Sequence, residues 1–278
     1  MPYLSPKYVM NTKRKNNPIG VFDSGLGGLT VVHEIQQLLP AEDILYFGDS
    51  ARLPYGIKSK RQIIQFSWDN ARFLLKHKIK ALVIACNSSS ANAYYVLRGK
   101  LPVPVVDVIR PVSRVACERT RNKRVGVIGT GATIRSGAYQ KEIRKVNPRI
   151  KVYAHSCPLF VSLVEEGWVN NNITRAVVNK YLRSFMKNRI DTLILGCTHY
   201  PLLKKVISEE VGHTITIVDS GPSAAQVLVH KLREYNLLRV GKRKGNLKIF
   251  VSDLSPHFVT IGERFLKQKI RNIKVVQI

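Results

Sequence analysis

The sequence predicts an α/β protein made of two similar halves, each built on a parallel-rich sheet. The strongest indication is a pair of matched stretches, Ala81 to Cys86 and Thr192 to Cys197. In each, a short apolar run ends at a cysteine, and small hydroxyl or amide residues open a helix-compatible stretch. Apolar runs without polar alternation are typical of parallel strands covered on both faces. Small polar residues directly after such a run are typical of helix N-termini.

A second repeat supports the two-halves interpretation. Residues 19–25 and 125–131 both read as a strand followed by a glycine turn. Residues 217–221 (Ile-Val-Asp-Ser-Gly) repeat the Phe-Asp-Ser-Gly pattern of residues 22–25. We therefore predict two pseudo-symmetric α/β domains related by an approximate twofold axis. The predicted first domain covers 18–109 plus 223–278, the second covers 110–222, and residues 1–17 form a basic, loosely ordered extension.

The individual elements follow from apolar runs, helical periodicity and flanking proline or glycine. Strands are predicted at 19–22, 44–47, 81–85, 103–108, 124–129, 151–154, 192–196, 247–251 and 273–278. Helices are predicted at 29–39, 59–78, 222–235 and 255–269.

Composition limits the function classes. The chain has 278 residues, with 45 Lys plus Arg against 18 Asp plus Glu, a formal charge of +27. Such a charge attracts nucleic acid or anionic surfaces. The basic residues are scattered, however, and no zinc-finger, helix-turn-helix or aromatic-interleaved pattern accompanies them. We interpret them as solvated faces, with weak nonspecific nucleic-acid binding left open. No export signal or membrane-length apolar run is evident, which predicts a cytoplasmic protein.

The four cysteines are expected to be reduced, and no Cys-x-x-Cys pair suggests zinc. Cys117 and Cys157 fit the role of small buried hydrophobes. Cys86 and Cys197 do not, because each ends a strand at the sheet edge where α/β proteins bind ligands. The positive end of a following helix favours thiolate over thiol. Two such cysteines can face one substrate from opposite sides.

Other candidates weigh less. The Gly129-Thr-Gly131 turn follows a strand, but it lacks the third glycine and the acidic partner of a dinucleotide site. His199 lacks the clustered His or Cys ligands of a metal site, so a proton partner for Cys197 is the more economical role. Asp23 and Ser24 end the first strand and are expected at the same sheet edge, either as helix caps or as site residues.

Several separate blocks resemble the glutamate racemases of the aspartate/glutamate racemase family, in the same order and at similar separations. The blocks that carry this resemblance are 22–31, 48–56, 85–88, 158–167 and 195–202. Ser88 stands where threonine is usual, and Arg110 stands where we expect an acidic residue. The second departure bears on the hinge between the domains or on an interface.

The resemblance implies a cofactor-independent racemase of two pseudo-symmetric α/β domains, with the active site in the cleft between them. It also implies no pyridoxal phosphate and no metal. The residues that it implies for catalysis are Cys86, Cys197, His199, Asp23 and Glu165. The residues that it implies for substrate binding are Asp23, Ser24, Tyr55, Gly56, Asn87, Ser88, Thr198 and His199. The two cysteines are expected to remove and return the α-proton on opposite faces of glutamate.

The expected role is conversion of L-glutamate to D-glutamate for peptidoglycan, by a homodimer. An aspartate racemase of the same family is the nearest alternative, because the chemistry is identical and only the pocket length differs. A basic nucleic-acid-binding protein with a vestigial racemase site is the alternative from another class.

Overall fold

The computed structural model of the chain describes residues 12–241 and 243–278. Most of the predicted extension over 1–17 lies outside these residues. The part that is described begins with a 3₁₀ helix at Thr12–Asn16, and the carbonyl of Lys15 accepts a hydrogen bond of 2.7 Å from Lys80. This end of the predicted extension is therefore tied to the first sheet.

Ten strands and eleven α-helices alternate along the described chain. The strands are β1 (Ile19–Asp23), β2 (Ile44–Gly48), β3 (Ala81–Ile84), β4 (Val105–Asp107), β5 (Arg124–Gly129), β6 (Lys151–Ser156), β7 (Thr192–Gly196), β8 (Thr216–Asp219), β9 (Leu247–Val251) and β10 (Ile273–Val275). The helices are α1 (Leu29–Leu38), α2 (Lys60–Lys76), α3 (Asn87–Arg98), α4 (Ile109–Arg119), α5 (Gly131–Arg135), α6 (Ala138–Val146), α7 (Leu159–Glu165), α8 (Asn172–Lys187), α9 (Lys204–Val211), α10 (Ser220–Glu234) and α11 (Phe258–Leu266).

The strands form two parallel sheets with matching strand orders. The first sheet has the order β10-β9-β2-β1-β3-β4 and the second has β6-β5-β7-β8. The run β2-β1-β3-β4 corresponds to β6-β5-β7-β8, so β3 and β7 occupy equivalent places. The predicted α/β class with two pseudo-symmetric halves is confirmed, and the strands that carry the two cysteines are counterparts.

Each sheet is covered by helices on both faces, which explains why its central strands are apolar throughout. In β3, Val83 packs into the core shared with α1 and α10, whereas Leu82 packs against α2 and α3. In the second sheet, Val127 faces α4 and α6, whereas Leu193 faces α8. Both sheets are therefore doubly wound, and ligands are expected at the carboxyl edge.

Several predicted elements are shorter in the structure. The strand predicted at 103–108 spans only Val105–Asp107, because Pro104 has no N–H to donate to the sheet. The helix predicted at 255–269 begins at Phe258 and ends where Lys267 adopts a left-handed φ of 55°. The helix predicted at 59–78 runs over Lys60–Lys76, with Ser59 as its N-cap in a capping box with Gln62.

Arg110 lies at the start of α4, where the chain passes from the first sheet to the second. Its guanidinium forms ion pairs with Asp107 at 2.8 Å and with Glu142 of α6 at 3.5 Å. It also stacks on Tyr94, 3.6 Å from the ring centroid. The basic residue that departs from the family pattern is thus balanced by acidic partners from both halves.

Candidate active site

Cys86 lies at the carboxyl edge of the first sheet, two residues beyond β3, and is the N-cap residue of α3. The side chain is buried, and its Sγ donates a hydrogen bond of 3.6 Å to the Ser24 hydroxyl. Burial, followed by the nearby charge of Asp23, raises the pKa of the Cys86 thiol to about 12. The Cys86 thiol is therefore protonated at neutral pH.

Cys197 occupies the equivalent place after β7. Whereas α3 begins directly after Cys86, a 3₁₀ helix at Tyr200–Leu203 lies between Cys197 and α9. The expectation that a regular helix begins just after this cysteine is therefore wrong, because the chain first makes a tight turn in which the Tyr200 N–H donates to the Cys197 carbonyl at 3.2 Å. The favourable charge near Cys197 comes instead from His199.

His199 connects Cys197 to a carboxylate. Its Nδ1 lies 3.9 Å from Cys197 Sγ, and its Nε2 lies 3.1 Å from Glu165 Oε1. Burial by itself lowers the pKa of His199, but the hydrogen bonds and charges of Cys197 and Glu165 outweigh it and raise the pKa to about 10. An imidazolium in this position favours the thiolate form of its sulfur neighbour.

Both cysteines line the same narrow cavity between the two sheets, whose volume is about 20 Å³. Its lining residues are Ser24, Leu53, Pro54, Tyr55, Gly56, Cys86, Asn87, Ser88, Thr130, Val161, Cys197, Thr198 and His199. The residues expected to bind substrate are all among them except Asp23. Glu165 is also absent from the lining and reaches the cavity only through His199.

Asp23 lies behind the cavity wall. Its carboxylate is fully buried and accepts hydrogen bonds from the N–H groups of Gly25 at 3.1 Å and Gly28 at 3.0 Å. Burial raises the pKa of this carboxyl group, although the charge of His199 and these backbone donors oppose the shift. Asp23 thus shapes the turn that presents Ser24 and acts on the cavity through its charge.

Polar contacts join the two halves across the cavity. The Ser88 hydroxyl lies 2.9 Å from Thr130 Oγ1, and Asn87 Nδ2 donates to the Tyr139 hydroxyl at 2.9 Å. Within the described chain, Asn87 Oδ1 is buried without a hydrogen-bond partner, although its residue lines the cavity. Buried acceptors are normally hydrogen-bonded, and this one is positioned to accept from a donor on a ligand in the cavity.

The lining residues that sequence reasoning missed are Leu53, Pro54, Thr130 and Val161. Thr130 had a signal, because the alignment of residues 19–25 with 125–131 sets it opposite Ser24. It follows β5 as Ser24 follows β1, and thus reaches the cavity from the pseudo-symmetric position. The glycine turn around it resembles a nucleotide loop only superficially.

Within residues 12–241 and 243–278, no group of three or more His, Cys, Asp or Glu side chains is arranged to hold an ion. In the same part of the chain, no helix has both the length and the apolar character needed to cross a membrane.

Comparison with known proteins agrees with this geometry. The Asp/Glu/Hydantoin racemase family matches residues 19–228. The glutamate racemase of Geobacter metallireducens is 48% identical over 260 residues, which is 94% of this chain and 96% of that protein.

Two solved structures are similar over nearly the full length. Glutamate racemase from Francisella tularensis, crystallised with D-glutamate, has a TM-score of 0.89 and 42% identity, covering 95% of this chain and 98% of that one. Glutamate racemase isoform RacE1 from Bacillus anthracis has a TM-score of 0.91 and 38% identity, with the same coverage of 95% and 98%. These three relatives are all glutamate racemases. Because of the family match and these similarities, the chain belongs to the Asp/Glu/Hydantoin racemase family.

Proposed function

We propose that this protein interconverts L- and D-glutamate without a cofactor, using Cys86 and Cys197 as an acid–base pair. One observation carries the proposal: two cysteines that follow the equivalent strands β3 and β7 line a single cavity. Racemisation removes the α-proton from one face of the substrate and returns a proton to the other. Two proton-transfer groups that approach from opposite domains satisfy this requirement.

The surroundings of the two sulfurs support different roles for them before substrate binds, one as base and one as acid. Cys197 Sγ lies 3.9 Å from His199 Nδ1, and we assign it the role of the base that accepts a proton. Cys86, with its pKa raised to about 12, is the thiol that donates one. Opposite protonation states in one site are what a two-base racemase needs.

Protons and electrons are conserved in each turnover. The Cα–H bond breaks, its proton passes to Cys197 Sγ, and the electron pair stays on the substrate as a carbanion conjugated with the α-carboxylate. The Cys86 S–H bond then breaks and its proton reaches Cα from the other face. The products are the opposite enantiomer, a Cys197 thiol and a Cys86 thiolate, and the other enantiomer runs the same steps in reverse.

The polar groups around the cavity suit an amino-acid dicarboxylate. Hydroxyl and amide donors come from Ser24, Asn87, Ser88 and Thr198. They suit the two carboxylates and the charge that develops as the α-proton leaves. The free Asn87 Oδ1 is an acceptor for the substrate ammonium. Asp23 and Glu165 would contribute without touching substrate, the first by its charge and the second by holding His199.

Glutamate does not fit the closed cavity. A volume of about 20 Å³ holds little more than one water molecule. The two halves must therefore separate to admit substrate and close again, which brings the sulfurs to the α-carbon and excludes water.

We infer glutamate rather than aspartate as the substrate from the proteins that this chain resembles. The Francisella tularensis protein, 42% identical, was crystallised with D-glutamate. The aspartate racemase from Picrophilus torridus is only 18% identical, with a TM-score of 0.54, and shares the fold alone.

The proposal is tested by incubating the purified protein with L-glutamate in D₂O. We expect loss of optical rotation together with deuterium at Cα, and loss of racemisation in both Cys86→Ser and Cys197→Ser. Turnover of L-aspartate but not glutamate would overturn the substrate assignment. Wild-type rates in either cysteine variant would overturn the two-base mechanism.

Four further points stay predictions. The product D-glutamate is expected to serve peptidoglycan synthesis in the cytoplasm. The homodimer is tested by sedimentation, and nonspecific nucleic-acid binding by a salt titration with duplex DNA. The domain boundaries at 109/110 and 222/223 are supported by the sheets, because all strands of the second sheet lie between them.

A further inference from the structure

The loop after β2 forms one wall of the cavity. It contributes Leu53, Pro54, Tyr55 and Gly56 to the lining. Its regular structure consists of two 3₁₀ helices of three residues each, at Ser50–Arg52 and Tyr55–Ile57. Such short turns have few internal hydrogen bonds, so this wall must be held in place by contacts with other elements.

Asp49 is the first of these contacts. Its carboxylate is fully buried, and its Oδ2 accepts hydrogen bonds from the Tyr55 hydroxyl and from Arg52 Nε at 2.7 Å. The other oxygen, Oδ1, accepts from the Ser252 hydroxyl at 3.0 Å. A buried carboxylate is stable only when it is paired and hydrogen-bonded, and Arg52 supplies the opposite charge.

Arg52 connects this carboxylate to helix α2. Its Nη1 donates to Asp69 at 2.9 Å and its Nη2 donates to Asn70 Oδ1 at 3.1 Å. The guanidinium also lies over the Phe66 ring, 4.3 Å from the centroid. Three donors pointing in different directions from one plane are a property of arginine that lysine cannot reproduce.

Asn70 closes the ring of hydrogen bonds. Its Nδ2 donates to the Tyr55 hydroxyl at 3.1 Å, while that hydroxyl donates to Asp49. The Tyr55 hydroxyl is thus already engaged by the protein, so Tyr55 would meet substrate through its main chain and ring. Tyr55 belongs to a small buried cluster with Ile63, Cys86 and Ala132, and it lines the same cavity as Cys86.

We propose that Arg52 is a positioning residue for the racemase reaction. It holds the loop after β2, which carries Tyr55 and Gly56, in place beside Cys86 without lining the cavity itself. This inference rests on the proposed function. Arg52, Asp49 and Asn70 are absent from the cavity lining, yet their hydrogen bonds hold Tyr55, which lines the cavity together with Cys86. Loss of Arg52 leaves the Asp49 carboxylate buried without its cation and frees the loop that carries Tyr55 and Gly56.

The test compares Arg52→Gln and Arg52→Lys with a control on α2, the helix that Arg52 contacts. The control is Arg72→Gln, which changes an exposed arginine whose guanidinium lies 5.6 Å from the Trp68 ring centroid. The first readout is the rate at which iodoacetamide alkylates Cys86 in substrate-free protein, followed by mass spectrometry. The fully buried Cys157 serves as an internal reporter of global unfolding. The second readout is kcat and KM for glutamate.

We expect Arg52→Gln to raise Cys86 alkylation about tenfold or more while Cys157 stays protected, since charge-assisted hydrogen bonds are lost. We also expect kcat/KM to fall about 100-fold, as for a misplacement of about 1 Å. Arg52→Lys should give a partial effect and Arg72→Gln none. Wild-type alkylation and kinetics in folded Arg52→Gln would overturn the inference.

If Arg52→Gln does not fold, Ser252→Ala removes a single donor to Asp49 and should raise Cys86 alkylation to a smaller extent. Unchanged Cys86 alkylation in both Ser252→Ala and Arg52→Lys would also overturn the inference. The alkylation readout does not depend on turnover. A wild-type protein that fails to racemise glutamate would refute the proposed function, while the reactivity of Cys86 would still decide whether Arg52 holds the wall.

Discussion

Gly27 lies close to Thr198 and His199 of the second half, with no room for a side chain. A Cβ added at this position would lie 2.6 Å from His199 Nδ1 and 2.8 Å from His199 Cε1, and would also meet the Thr198 hydroxyl. These distances are about 1 Å shorter than ordinary van der Waals contact. In Gly27→Ala, the second half must therefore move by about 1 Å, or the His199 ring must leave Cys197.

Either movement separates the catalytic groups. A misplacement of about 1 Å can lower a rate about 100-fold, which corresponds to about 2.7 kcal/mol of transition-state stabilisation. We therefore expect kcat for Gly27→Ala to fall about 100-fold, as measured by circular dichroism during conversion of L-glutamate.

The matched control is Gly99→Ala at the end of α3. There the nearest atom to an added Cβ is the Tyr95 carbonyl oxygen at 3.6 Å, and the glycine φ of −76° suits alanine. This variant should keep wild-type kinetics. A folded Gly27→Ala protein with kcat within about twofold of wild type would refute the claim that closure at Gly27 sets the active geometry.

Three further predictions follow from buried groups. Lys80→Met should lower the free energy of urea unfolding by about 3–5 kcal/mol, because it leaves the buried Glu42 carboxylate without its cation. Adding Glu42→Leu to the same chain should restore stability, and equal stability of the single and double variants would contradict this. Alkylation of Cys86 should rise tenfold per pH unit between about pH 7 and 10, because its pKa of about 12 lies above that range and the thiolate fraction grows with pH; a plateau near pH 9 would contradict the raised pKa. His199→Asn should lower kcat about 100-fold or more, since Cys197 loses its imidazolium partner, and a loss below about threefold would rule out that role.

The fold was largely predictable because its signals are local. A strand such as β3 or β7 is buried on both faces, so its sequence is continuously apolar and bounded by polar turns. The ends were less predictable. The β10 strand lies at the edge of the described sheet and pairs with β9 alone, and it stops at Val275 although apolar residues follow at 276 and 278.

The candidate site likewise contains residues that local sequence predicts and residues that it does not. Residues that follow a cysteine strand, such as Asn87 and Thr198, were predicted because sequence position alone puts them at the carboxyl edge. The contributions of Gly27 and Arg52 were not predictable. They depend on distances between elements that are far apart in sequence, and a glycine turn or a basic residue in a loop carries no local sign of them.

The central claim is that two sulfurs flank one carbon atom. A crystal structure with glutamate bound tests it most directly. We expect Cys86 Sγ and Cys197 Sγ on opposite faces of the substrate, each about 3–3.5 Å from Cα. Both sulfurs on the same face, or either one separated from Cα by a water molecule in the closed state, would contradict the account.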